Sequence, residues 1–501
     1  MKLNELLAGV GTEPPAGPKH KGDVTGVCHD SRAVKAGDLY VAVPGTKVDG
    51  INFAAEAVGK GAIAVVAEKD IPEVKVPVFK VTSARKSLAL IAANFYKKPA
   101  DELTLLGVTG TNGKTTTAWL LESIAAAGGA QTGLLGTIEN RFAGKKLPPT
   151  HTTPDPVQLH KTFREMVEAG VDTVVMEVSS HALSQDRVHG LTFRAAAFTN
   201  LTRDHLDFHK DMESYFQAKR RLFTDNLSAG GVAVVNGDDT HAVRIYSELR
   251  GLKRMAWKFS RSGAGEISAA GVELTSNGIK ATLKTPAGDI AIKSSLIGGH
   301  NLENILAAAG VALSAGYSRR DVQDGIERVV RVPGRMERVV GRMPGVVALV
   351  DYAHTDDALK KALESARGVT RGRLIVVFGC GGDRDEGKRP LMGEAAAELA
   401  DVPVITSDNP RGEDPDEIIA EIVPGLEKHG LRRMGAAKAK TGEKGYLVEA
   451  DRAAAIALAA SLAKEGDTIL IAGKGHEPYQ EVGGEKKRFD DVEEATKALG
   501  G

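Results

Sequence analysis

Along most of this chain, short apolar runs that end in glycine, asparagine or aspartate turns alternate with alanine-rich stretches of helical character. TLLGVTG (104–110), DTVVMEVSS (172–180), AAAFTNL (195–201) and GVAVVNGDD (231–239) each read as a strand followed by a turn. VVALVDYAH (346–354), RLIVVFGCGG (373–382), VPVITSDNP (402–410) and DTILIAGKGH (467–476) repeat the pattern. Helices fit between them, such as KTTTAWLLESIAAA after the first run and EAAAELA before VPVITSDNP. Strands alternating with helices predict an α/β fold with largely parallel sheets. Two breaks divide the pattern. NFYKKPADEL (94–103) ends a helix with lysines and a proline, and RVVRVPGRMERV (328–339) is a basic stretch around Pro333-Gly334, where a helix must stop. Three domains are expected, at about 1–100, 101–335 and 336–501.

Composition narrows the class. A chain of 501 residues is too long for one ordinary core, and 42% apolar with 26% charged residues is usual for a globular enzyme. The 65 lysines and arginines balance 65 aspartates and glutamates, so no global field would steer a nucleic acid, and an anionic substrate must be met by local positive charge. Two distant cysteines, Cys28 and Cys380, argue against a disulfide framework and fit a reducing cytoplasm. No apolar run approaches 18 residues, and MKLNELLAGVG lacks the basic and apolar regions of a signal peptide. The expectation is a cytoplasmic globular protein with no membrane and no nucleic-acid partner.

GVTGTNGKTTT (107–117) carries the first chemistry. It departs from G-x-x-x-x-G-K-[ST], because Val108 stands where the first glycine belongs and the glycines are Gly107, Gly110 and Gly113. Its setting of strand, glycine turn and helix still fits a phosphate cradle built from backbone N–H groups. Lys114 would reach the β- and γ-phosphates and Thr115 would meet Mg²⁺. This predicts nucleotide binding alone; a nucleotide switch protein would carry the same loop.

The loop is followed, in order, by MEVSSHAL (176–183), FTNLTRDHLDFH (198–209), YFQAKRRLF (215–223), GGHNLENILAA (298–308), VPGRMERV (332–339), DYAHTDDAL (351–359) and GKGHE (473–477). With GTNGKTTT, this series resembles the Mur ligases and their relatives, the folylpolyglutamate synthetases. HTTPDP (151–156), GCGGDRDEGKRPLMG (379–393) and DNPR (408–411) are similar to the branch that adds meso-diaminopimelate to UDP-MurNAc-L-Ala-D-Glu. The resemblance implies an N-terminal UDP-binding domain, a central P-loop ATPase-type domain and a C-terminal Rossmann-like domain that binds the incoming amino acid. It also implies an acyl phosphate, formed from ATP on the D-glutamyl carboxylate and attacked by the amine. Two unit charges at 4 Å repel by roughly 4 kcal/mol at an effective dielectric near 20, so such a reaction needs cations at its centre.

Residue roles follow by resemblance. Lys114, Glu177, His205 and Lys219 would be catalytic. Thr115 and Glu177 would hold one Mg²⁺, and His205 with Lys219, as a carbamate (N6-carboxylysine), a second. ATP would be bound by Gly110, Thr111, Asn112, Gly113, Lys114, Thr115 and Thr116, together with His300, Asn301, Asn304, Arg335, Asp351 and His354. DSR (30–32), GDLYVAVPG (37–45) and KVDG (47–50) resemble the uridine and diphosphate site, with Ser31 the contact, while Thr152, Thr153, Ser179, Gln185 and Arg187 would take the muramoyl-dipeptide arm. Arg384, Asp408, Asn409, Pro410, Arg411, Gly473 and Glu477 would bind diaminopimelate, Arg411 on its distal carboxylate and Asp408 with Glu477 on its distal ammonium. The blander readings are a solvated strand-end carboxylate for Glu177 and, for Lys219 beside Arg220 and Arg221, a solvated basic face. Asp356 departs from the family's proline, which should loosen that turn. GCGGDRD could start a dinucleotide turn, but Arg384 stands at its third glycine position, which argues against NAD. Alternatives that stay open are the same ligase adding L-lysine and another amide ligase of the superfamily; a monomer is expected.

Overall fold

The computed structural model describes residues 1–13, 22–45 and 48–501. Three principal sheets follow one another along the chain. The first is four parallel strands in sequence order, Gly26–Cys28, Asp38–Val41, Ala64–Ala67 and Val78–Lys80. Leu39, Val41 and Val66 face one apolar cluster and Tyr40 and Val65 the other, so both faces are covered.

The central sheet has eight strands. Across the sheet they run Met255–Phe259, Leu227–Asn236, Phe193–Phe198, Thr104–Thr109, Thr173–Glu177, Thr132–Leu135, Asn140–Phe142 and Lys145–Leu147. The first six are parallel; the last two form an antiparallel hairpin edge. From Thr104–Thr109 the chain first builds strands on one side and then crosses to Phe193–Phe198 on the other. That reversal opens a crevice at the strands' carboxyl ends, and the 110–113 loop leaves the sheet there. A three-stranded antiparallel sheet, Ser268–Thr275, Gly278–Lys284 and Ile290–Ser294, packs beside it, followed by the helices Gly299–Ala315 and Arg319–Arg328.

The third sheet orders its strands Glu337–Val339, Val347–Asp351, Thr468–Ala472, Leu374–Phe378, Val402–Ile405 and Leu447–Val448, all parallel but the first. The late strand Thr468–Ala472 inserts between two early ones. A second crevice therefore opens where Asp351, Gly379 and Gly473 leave the sheet. The expected α/β architecture with largely parallel sheets is what the chain adopts.

Two sequence expectations need correction. The strand Met255–Phe259, the hairpin edge and the three-stranded sheet were not foreseen. Asp356 does not loosen its turn: it is the first residue of the helix Asp356–Arg367, which Thr355 caps by accepting from the Ala358 N–H. A carboxylate in a first helical turn is favourable, because it meets the positive end of the helix dipole.

Candidate active site

The nucleotide loop is shaped by two close approaches. Gly113 has φ +85°, and a Cβ there would lie 2.2 Å from Asn304 Oδ1; Gly110 has φ +144°, and a Cβ would lie 1.9 Å from Thr199 Oγ1. Only glycine fits either place. The helix that follows, Lys114–Ala127, starts on Gly113 with no side-chain cap, whereas Pro156–Glu168 and Met212–Thr224 are capped by Asp155 and Asp211. Its first-turn N–H groups are thus left for an anion. The loop is fastened from outside: Asn200 Oδ1 accepts from the Asn112 N–H at 2.9 Å, and Thr199 Oγ1 donates to Asn112 O at 2.6 Å. The Thr111 hydroxyl meets that of Tyr215 at 3.2 Å, and Thr116 is buried. Lys114 Nζ folds back onto Gly110 O and Thr111 O at 3.0 and 2.8 Å, and burial lowers its pKa.

Glu177 is not a solvated carboxylate. At 1% exposure it accepts from Thr115 Oγ1 at 3.1 Å and from the Thr137 N–H and hydroxyl at 2.8 and 3.0 Å. Thr137 was missed in the sequence, where it sits in no recognisable pattern. Among the described residues no group of three or more histidine, cysteine, aspartate or glutamate side chains could hold a metal unaided. One carboxylate with a hydroxyl, opening onto a phosphate cradle, nevertheless suits Mg²⁺, a hard ion that completes its shell with phosphate oxygens and water.

Lys219 is not on a solvated basic face either. Its side chain is buried, Nζ donates to Gly110 O at 2.7 Å and lies 4.6 Å from the centre of the Tyr215 ring. Burial, and then the neighbouring Lys114, lower its pKa well below the usual lysine value. Arg220 and Arg221 turn elsewhere, to Glu248 and Asp186. As an ammonium Lys219 can only donate, and as a neutral amine it offers one nitrogen lone pair, so a hard cation would be better served once it gains a carboxylate. His205 has φ +54°, lies 3.3 Å from Asp204 Oδ2 and stacks edge-on against His181; burial lowers its pKa.

These groups line a cavity of about 740 Å³ between the central and third sheets. Thr152, Ser179, Arg187, His300, Asn304, Arg335, Asp351, His354 and Arg384 join its wall. Arg335 Nη2 approaches Thr115 Oγ1 at 3.3 Å and its guanidinium lies over the Tyr352 ring. His300 Nδ1 meets Ser365 Oγ at 2.7 Å, and burial brings its pKa down to about 4. His354 Nδ1 meets Tyr352 O at 2.8 Å. Asp351 accepts from the Met336 N–H at 2.7 Å, and burial raises its carboxyl to about 6.

Three expected contacts support the wall instead of lining it. Thr153 Oγ1 joins Glu177 O to the Ser179 N–H, Gln185 accepts from Arg187, and Asn301 donates to Ile297 O from a buried position. Ser31 lies in the first domain, bonded to Glu56 at 3.1 Å, and does not reach this cavity. Lys47 of KVDG lies outside the described residues.

The remaining group gathers at the crevice of the third sheet. Asn409 Nδ2 donates to Glu477 Oε2 at 2.9 Å, and the Tyr352 hydroxyl reaches Glu477 Oε1 at 3.3 Å from the cavity wall. Asp408 Oδ1 is buried without a hydrogen bond and faces Gly473, 3.4 Å from where a Cβ would stand. Arg411, at φ +53° after Pro410, donates to Gly382 O at 2.7 Å and pairs with Glu481 at 3.2 Å. Neither Glu481 nor the fully buried Lys474 was singled out in the sequence, although Lys474 lies inside GKGHE.

Residues 23–96 match the Mur ligase family catalytic domain, 108–312 the Mur ligase middle domain and 334–475 the Mur ligase glutamate ligase domain. Curated relatives named UDP-N-acetylmuramoyl-L-alanyl-D-glutamate–2,6-diaminopimelate ligase are 45% identical in Geobacter metallireducens and 46% in Gloeobacter violaceus. Each alignment covers 100% of this chain and 98% of the relative. A solved structure of an enzyme of that name aligns with a TM-score of 0.67 at 34% identity, covering 95% of this chain and 94% of the other. An uncapped glycine loop, a buried strand-end glutamate and a second crevice occur here in a chain alike in length and order to those relatives, and the chain belongs to the Mur ligase family.

Proposed function

We infer that this chain catalyses ATP-dependent addition of meso-2,6-diaminopimelate to UDP-MurNAc-L-Ala-D-Glu, giving the UDP-MurNAc-tripeptide, ADP and phosphate for peptidoglycan synthesis. The observation that carries the reading is the pairing of two crevices. An uncapped helix with Lys114 and Glu177 opens on one side of the cavity, and a site with Arg411, Asp408 and Glu477 adjoins the other through Tyr352 and Arg384. The relatives of that name, alike over the whole chain, support it.

The work divides over three domains, at about 1–100, 101–335 and 336–501. Ser31 and its neighbours grip the UDP end, and Thr152, Ser179 and Arg187 orient the dipeptide arm, held from behind by Thr153 and Gln185. The loop from Gly110 to Thr116 cradles the ATP phosphates, and Lys114 leaves its two loop carbonyls to meet the γ-phosphate. His300, Asn304, Arg335, Asp351 and His354 close over the nucleotide from the other side, with Asn301 seating the helix start. Mg²⁺, one ion at Thr115 and Glu177 and one at His205 and carbamylated Lys219, would neutralise the phosphate oxygens when bound. Neutral Lys219 adds CO₂ to form the carbamate and releases one proton. The D-glutamyl carboxylate takes the γ-phosphoryl group and ADP leaves. The free α-amine of diaminopimelate attacks the acyl phosphate, and phosphate departs from the tetrahedral intermediate. Arg411 receives the distal carboxylate, and Asp408 with Glu477 the distal ammonium, beside Gly473, Asn409 and Arg384.

L-lysine stays as a second reading on one observation: Arg411 is already paired with Glu481, so a substrate without the distal carboxylate would not strand a bare guanidinium. A substrate panel decides. Phosphate release from ATP, Mg²⁺ and UDP-MurNAc-L-Ala-D-Glu is measured with meso-diaminopimelate, L-lysine or L-ornithine. Release with diaminopimelate and a tripeptide of matching mass is expected; release with lysine alone would keep the ligase and overturn its substrate. The reading is of a cytoplasmic enzyme, since nucleotide-linked precursors are cytoplasmic, acting as a monomer; no helix among the described residues is long and apolar enough to cross a membrane.

A further inference from the structure

Lys474 lies at the centre of the amino-acid crevice without reaching the surface. Its side chain is 0% exposed, yet its ammonium lies 2.8 Å from Asn409 Oδ1, 3.3 Å from Glu477 Oε2 and 3.9 Å from Asp408 Oδ1. An ammonium offers only donors, so Asn409 must turn its oxygen to Lys474 and its amide nitrogen to Glu477. The same Asn409 oxygen accepts from the Glu481 N–H at 2.9 Å, and the Glu481 carboxylate holds Arg411 Nε at 3.2 Å. One buried cation therefore reaches both the carboxylates and, through Asn409 and Glu481, the arginine.

We propose that Lys474 is a positioning residue that sets amino-acid specificity: it cancels one of the two carboxylate charges of Asp408 and Glu477 and locks Asn409 in the orientation that ties them to Arg411. This rests on the diaminopimelate reading above. The carboxylates of buried Asp408 and half-buried Glu477, with one lysine, leave a single negative charge, which one substrate ammonium neutralises. Without Lys474 the crevice holds one negative charge too many, and Asn409 is free to flip. The orphaned Asp408 Oδ1 beside Gly473 is the acceptor that remains for the substrate.

The test is steady-state kinetics of the full chain carrying Lys474→Met, and Lys474→Met combined with Glu477→Gln. Lys474→Met keeps the side-chain length and is expected to raise the KM for diaminopimelate roughly 10- to 100-fold, with the KM values for ATP and the UDP-dipeptide within about threefold. The double variant loses one charge of each sign, so it is expected to recover part of that rise, by about fivefold or more. A packing defect alone would make the double variant worse, not better. An unchanged diaminopimelate KM, an equal rise for all three substrates, or failure of both variants to fold would overturn the proposal. Wild-type protein that does not use diaminopimelate would instead overturn the functional reading, so the two failures are told apart.

Discussion

The roles of single residues follow from burial more than from type. Lys219 and Lys114 are both lysines on the walls of one cavity, but Lys219 is enclosed and lies beside the charge of Lys114, which pushes it toward the neutral amine. A neutral amine can add CO₂, so Lys219→Ala is expected to lower kcat about 100-fold or more while the unfolding temperature is kept. Full activity of this variant, assayed without added bicarbonate or chloride, would rule out the carbamate. Asp351 shows the opposite sign. Burial raises its carboxyl from 3.8 to about 6, so in the ligand-free protein the proton is held more tightly folded than unfolded. That preference favours the fold fully below the unfolded value and is lost as pH rises through 6. Above pH 6 the ionised group costs about 1–2 kcal/mol, once its partial exposure is allowed for. Asp351→Asn should therefore raise the unfolding temperature near pH 7.5 and leave it nearly unchanged near pH 4; equal shifts at both would contradict the assignment.

At the scale of elements, the ends of strands and helices carry the site. A Cβ at Gly113 would strike Asn304, and its φ of +85° strains any side chain. Gly113→Ala is expected to weaken ATP binding about tenfold or more, read by isothermal titration, with a small effect on the fold. Behind the amino-acid crevice, Arg452 and Asp491 form an ion pair at 0% exposure, and Arg452 also donates to Ala472 O at 3.0 Å, at the end of a central strand. Removing one partner, as in Asp491→Asn, should cost about 3–5 kcal/mol in chemical denaturation; a change below 1 kcal/mol would mean that the crevice is seated by other contacts. How far elements could be read from sequence depended on their burial. Leu105 and Leu106 face opposite apolar clusters, so covered parallel strands appear as apolar runs closed by turns. Ser268–Thr275 is largely exposed and rich in alanine and glycine, and Asn140–Phe142 has three residues, so neither leaves a clear period. The motif residues were legible as types, but the burial of Glu177 and Lys219, and partners such as Thr137 and Glu481, arise only when distant segments meet.

At the scale of the whole molecule, the proposed reaction needs the two crevices face to face, because one would activate a carboxylate and the other would deliver an amine. The contacts that span them are few and polar. Asn112 Nδ2 donates to Asp357 Oδ2 at 2.9 Å, Arg203 meets Asp385 at 3.3 Å, and Arg335 reaches Thr115. Among the described residues no apolar cluster of the central sheet continues into the third, and only Ile297 joins the latter's core from the central side. Polar links of this kind let domains part and close around a substrate, where an extended apolar seam would fuse them. Asp357 is, with Arg335, one of two points at which the third sheet's side touches the loop, and it also binds Lys361 at 2.9 Å and so ties Asn112 to the helix Asp356–Arg367. Asp357→Ala removes that link without touching the core of either domain. It is expected to weaken ATP binding by about 3- to 10-fold, about 0.7–1.4 kcal/mol and roughly the net worth of one ordinary hydrogen bond, with little change in unfolding temperature. If ATP affinity is unchanged while the unfolding temperature falls, Asp357 serves its own helix and closure is borne by the remaining links, Arg335–Thr115, Arg203–Asp385 and His300–Ser365.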